Sequence, residues 1–121
     1  MAEKQNSKQY DLEERTLRFA QRVREFAKKL PKTLANIEDL KQLVNASGSV
    51  GANYIEANEA LSKKDFVMRI KICRKEAKES RYWLKLIDTG SVSKLEKEQD
   101  ELVQEATELM NIFGSILRKS E

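Results

Sequence analysis

The sequence predicts an all-α fold, an antiparallel up-and-down bundle of four helices, and three observations carry that expectation. Apolar residues recur at alternating spacings of three and four along most of the chain, the period of a helix and not of a strand. Pro occurs once and aromatic residues make up 7% of the 121 positions, while Ala, Leu, Glu, Lys and Arg predominate, as in long helices. Breaking and capping residues cut the periodic text into four runs, at about 10–30, 35–60, 63–88 and 94–118. A chain of this length is expected to form one domain, 1–121, around one core.

The first run carries Leu12, Thr16, Phe19, Val23, Phe26 and Leu30 on one seam, and Pro31 ends it. The third carries Phe66, Ile70, Cys73, Ala77, Ser80, Leu84 and Ile87, and the fourth Leu95, Gln99, Leu102, Ala106, Leu109, Phe113 and Ile116. These are heptad seams. Ser62 with Asp65 three residues on marks the start of the third helix, and Gly90 follows its last apolar residue. Ser93 with Glu96 reads as a capping box for the fourth.

The second run is less obvious, because NASGSVGANYIEANEA, Asn45–Ala60, has the Gly and Ser content of a loop. At about 100° per residue, however, Ile37, Leu40, Leu43, Val44, Ser47, Gly48, Gly51, Tyr54, Ile55, Asn58 and Leu61 share one sector. That phase predicts a helix whose Ser47, Gly48 and Gly51 form a notch for a close neighbour. The opposite side holds Gln42, Ala46, Ser49, Asn53, Glu56, Ala57 and Ala60. No charge occurs from Gln42 to Ile55, although 36% of the chain is charged. A solvated helix face is normally charged, so this helix is expected to be covered on both sides, the second cover being another subunit.

A single Cys excludes an internal disulfide and fits a reducing compartment. Cys73 falls on the heptad seam and reads as a core residue. The polar start, MAEKQNSKQY, has no signal-peptide pattern, and no apolar run approaches a membrane span; a cytoplasmic setting is expected. The chain has no His, which removes Ser/His and Cys/His catalysis, Glu-x-x-His di-iron sites and most zinc sites. Glu56 with Glu59 and Glu76 with Glu79 could face each other, but without His or metal they read as ion-pair partners. The glycines form no phosphate loop, since no strand precedes them and no Gly-Lys-Ser/Thr follows. No enzyme activity, catalytic residue, metal, cofactor or small-molecule substrate is expected.

Ser49-Val50-Gly51-Ala52-Asn53-Tyr54-Ile55-Glu56-Ala57 resembles the S-I-x-x-N-I-x-E-[GA] signature of the bacterial four-helix-bundle family of 23S rRNA intervening-sequence proteins. Phe66, Ile72-Cys73-Arg74 and Glu79 resemble that family's third helix. The chain departs from the commoner pattern at Gly51, Cys73 and Glu76 and in the basic run before Tyr82-Trp83. The resemblance implies a bundle assembled as a ring-like homopentamer. It also relates the chain to accessory proteins of diversity-generating retroelements, which work with a reverse transcriptase and nucleic acid. Ser49, Asn53 and Glu56 match motif positions, implying an intersubunit contact or a helix–helix hydrogen-bond set. Trp83, on a second apolar flank with Met68, Ile72 and Leu86, reads as interface or as inner packing.

Charge supplies a functional expectation independent of the family. Leu61–Gly90 holds nine cations and four anions, whereas Ser91–Glu121 holds four cations and seven anions. On the third helix Lys63, Lys64, Lys71, Arg74, Lys75, Lys78, Arg81 and Lys85 fall within about 120°, with Tyr82 at the edge. Such a stripe suits phosphate contacts with RNA or DNA. Alternatively it is solvated, or neutralised by the acidic fourth helix. Two functions therefore stay open: a nucleic-acid-binding protein, which the resemblance extends to a reverse-transcriptase-binding accessory protein, or an oligomeric scaffold with a protein partner.

Overall fold

The computed structural model describes residues 2–121, with side chains from Leu12 onward. Four α-helices follow one another: α1 Ala2–Ala27, α2 Leu34–Asn58, α3 Lys63–Leu86 and α4 Ser93–Lys119. Short connections make each helix the neighbour of the next, as in an up-and-down bundle. The packing of α2 on α3 and of α3 on α4 is extensive, and the α1–α4 seam that closes the bundle is the slightest.

Three seams lie where the heptad spacing puts them. Phe19, Val23 and Phe26 of α1, Ile70, Cys73, Ala77 and Leu84 of α3, and Leu102, Ala106, Leu109 and Phe113 of α4 are fully buried in one core. Side chains at i, i+3, i+4 and i+7 meet on one helix face, so this spacing becomes a continuous apolar surface. Burial pushes the Cys73 thiol up to about 12, keeping it neutral and unreactive.

The phase of α2 departs from the sequence expectation. Leu43, Ala46, Ser47, Val50, Tyr54 and Ala57 are buried, whereas Ile37 and Ile55 are about half exposed, at 43% and 50%, and Leu61 is 98% exposed. Ala46 and Ala57, expected on the outer side, thus belong to the core. The expected sector is centred on the glycines, whereas Gly48 and Gly51 are only half-buried and lie at the flank of the buried face. A Cβ on Gly51 would stand 2.8 Å from Thr16 Oγ1 and 3.2 Å from Thr16 Cβ, so the notch receives α1 at Thr16. A Cβ on Gly48 would meet only the end of the Arg24 side chain, at 3.3 Å.

The connections are fixed by buried polar groups. Asn36, 1% exposed, donates from Nδ2 to the carbonyls of Pro31 and Asp88 and accepts the Asp88 N–H on Oδ1, at 2.9, 2.8 and 3.0 Å. One amide therefore ties the α1–α2 connection to the α3–α4 connection. Gln99, a polar residue on the α4 seam, donates to the carbonyls of Leu84 and Ile87 and satisfies the end of α3. Ser62 caps α3 as expected, accepting the Asp65 N–H. Ser93 does not cap α4: Val92 is the cap residue and makes no side-chain cap hydrogen bond. Gly90 and Ser91 both have positive φ, 68° and 63°, and this double left-handed turn starts the helix one residue before the expected box.

Candidate functional site

Most of the acidic run does not face the basic run. Helix α4 turns its acids toward α1: Arg15 pairs with Glu105 at 2.7 Å and with Glu108 at 2.8 Å, Arg22 with Glu101 at 3.7 Å, and Lys29 with Glu98 at 2.7 Å. Arg15 lies between two carboxylates, and its hydrogen bond to Glu105 holds the guanidinium above its ordinary pKa. A hydrogen bond from Gln104, then one from Arg15, holds the Glu108 carboxyl below its usual range. Four of the six acids of α4 are thus used between α4 and α1. The alternative in which they neutralise α3 finds no ion pair among the described residues.

On α3, Lys64, Lys71, Arg74, Lys75, Lys78 and Lys85 are exposed and Arg81 is half-buried. At 1.5 Å per residue the row from Lys64 to Lys85 is about 32 Å long. Among the described residues its one ion pair is Lys75 with Glu79, at 3.9 Å. The stripe is less pure than the helical projection implied, because Asp65 shares a shallow hollow with Lys63, Lys64 and Lys71. Tyr82, 58% exposed, stands edge-on to Trp83 with ring centroids 5.1 Å apart. This leaves an aromatic face beside Arg81 and Lys85.

A deeper cleft gathers the middle of the stripe. Lys71, Arg74, Lys75 and Lys78 line it from α3, and Gly114, Leu117, Arg118, Ser120 and Glu121 from the end of α4, around a volume of about 680 Å³. The ends of the stripe, Lys64 and Lys85, and the pair Arg81 and Tyr82 lie outside it. Sequence reasoning missed Gly114 and Arg118. Their helix reads as acidic, and only the packing of α4 on α3 brings its last turn to the cations.

The residues expected at a subunit contact divide. Ser49 and Asn53 are half-buried, and Asn53 donates to the Ser49 carbonyl at 2.8 Å and accepts from Arg69 Nη1 at 2.9 Å. The first bond lies within α2, and only the second crosses between helices, with Arg69 of α3 as a partner that the motif did not name. Glu56 is exposed, and Trp83 is half-buried against the core. The charge-free run still leaves Gln42, Asn45, Ala52 and Ile55 on the surface. Glu76 is half-buried, and its carboxyl is raised first by burial and then by Glu79. Among the described residues no three His, Cys, Asp or Glu side chains are grouped to hold a metal ion, and no helix is long and apolar enough to cross a membrane.

Fold and surface define a small helical-bundle protein with one cationic helix face. The model of the 23S rRNA-intervening sequence protein family matches residues 8–115, and the chain belongs to that family. A crystal structure from Bacteroides thetaiotaomicron, described as a protein with unknown function from the S23 ribosomal protein family, superposes with a TM-score of 0.73 at 28% identity. The alignment covers 88% of this chain and 97% of that one. No curated protein matches the chain.

Proposed function

We propose that this chain is a non-enzymatic protein that binds nucleic acid through the exposed face of α3, in a cytoplasmic setting. The observation that carries the reading is the division of charge: Glu98, Glu101, Glu105 and Glu108 of α4 are paired with α1, while most α3 cations have no described carboxylate partner. Unpaired cations in a row attract a polyanion, and release of its counterions on contact supplies affinity without sequence preference. Exposed Tyr82 adds a ring on which an unstacked base can lie. The family resemblance extends the reading to a reverse transcriptase as a protein partner.

Assembly belongs to the same proposal. The uncharged surface positions Gln42, Asn45, Ala52 and Ile55 and the exposed Met68 and Leu86 suit contact with further copies. The family resemblance implies a pentamer, in which five stripes present about forty cations, a dense electrostatic target for a polyanion. Light scattering coupled to gel filtration should give five times the 14.0 kDa chain mass; a monomer mass contradicts the assembly. Binding is tested with fluorescent single-stranded RNA and DNA at low salt. Anisotropy should rise with both, and an unchanged signal at micromolar protein sinks the reading in favour of a scaffold with a protein partner.

A further inference from the structure

Within the cleft between α3 and α4, two arginines from different helices converge over a glycine. A Cβ on Gly114 would stand 3.5 Å from Arg118 Nη1 and 3.8 Å from Arg74 Nε, so these nitrogens are at most about 7 Å apart. Neither guanidinium enters an ion pair with a described carboxylate. Lys71 and Lys78 line the same cleft, and Glu121 is the one described acid on it. With Lys75, five cations thus share a concave site where like charges repel and where glycine leaves the floor open.

We infer that this cleft is a discrete phosphate-binding site, with Arg74 and Arg118 as its two clamps, Gly114 as its floor and Lys71 and Lys78 as flanking charges. Two charge-assisted hydrogen bonds of about 2.7–2.9 Å, made to different oxygens of one phosphate, span the gap between the guanidinium groups. Arginine suits such recognition because its planar fork can present paired N–H donors to phosphate. The inference rests on the nucleic-acid reading for its ligand, a phosphate group of the strand. It adds a fixed anchor from α4 to what is otherwise a smooth row of charge on α3. The phosphate is either a backbone diester or a terminal monoester.

The test uses the native protein labelled for nuclear magnetic resonance and titrated with inorganic phosphate, then with the same oligonucleotide carrying or lacking a 5′ phosphate. Phosphate should shift the Gly114 amide and the Arg74 and Arg118 Nε signals. Arg118→Gln, at an exposed position that leaves the core intact, should weaken both phosphate and oligonucleotide by several-fold. Gly114→Leu should do the same by filling the floor. Tighter binding of the 5′-phosphorylated strand assigns the site to a terminal monoester, and equal binding to a backbone diester. If the oligonucleotide binds while Arg118→Gln changes neither titration, the cleft proposal is overturned and the α3 reading stands. If phosphate shifts these signals and no oligonucleotide binds, the cleft stands and the nucleic-acid reading falls.

Discussion

Helices α3 and α4 carry opposite charge runs and are packed side by side, yet their charges have different fates. Glu98, Glu101, Glu105 and Glu108 of α4 lie on the side that meets α1 and close onto Arg15, Arg22 and Lys29. The cations of α3 lie along the outer side and the α4 cleft, and of the stripe only Lys75 enters a described ion pair. The lesson is that a charge run acquires meaning from what faces it. Paired charges on the surface contribute little even to stability, since desolvation and side-chain ordering offset the Coulomb gain. Unpaired charges of one sign keep their field for a partner.

The most direct way to break this contrast is to reverse Lys71, Lys75 and Lys78 to Glu. Nucleic-acid affinity should fall on the order of a hundredfold or more, since three phosphate contacts become repulsions. The melting temperature should stay close to that of the unaltered protein, because all three side chains are exposed. A large loss of stability would mean that the stripe is part of the frame.

The frame that holds both faces can be attacked separately. Asn36→Leu removes the clamp between the two connections and strands the Asp88 N–H and two carbonyls. Chemical denaturation should show a loss of about 2–3 kcal/mol, as expected for buried polar groups left without partners. Gly51→Leu drives a side chain into Thr16 and should lose about 1–3 kcal/mol through overpacking. Wild-type stability in either variant would contradict the packing described.

The smallest effect belongs to the paired side. Arg15→Ala should lower stability by no more than about 1 kcal/mol and leave nucleic-acid affinity unchanged. Its effect should depend on pH with a definite sign. Glu108 has a folded-state pKa below its ordinary value, so its contribution is present above the usual carboxylate range and disappears as pH falls through the depressed value. Melting curves of the wild type and of Arg15→Ala should therefore converge in acid.

Much of this arrangement is legible in the sequence. The seams of α1, α3 and α4 follow from heptad spacing, and the cation row follows from an ordinary helical projection. The phase of α2 was harder to read because small residues dominate it. Ala46 and Ala57 are buried and Ala52 is exposed, and nothing in the residue type separates them. Burial there depends on how closely neighbouring backbones approach, as Thr16 does at Gly51. The Asn36 clamp was illegible for another reason, since its long-range partners are backbone groups 52 residues away. The α4 side of the cleft was hidden in the same way: Arg118 and Gly114 join the cations of α3 only through the packing of the two helices.

The measurement that bears most directly on the central claim is the salt dependence of RNA binding by the wild type and by the triple Lys→Glu variant. The logarithm of affinity should fall linearly with the logarithm of salt concentration. In the variant the slope should be shallower by about 2 or more, given about 0.7 per phosphate contact on a single strand. Equal slopes for the two proteins would contradict the assignment of the α3 face as the binding surface.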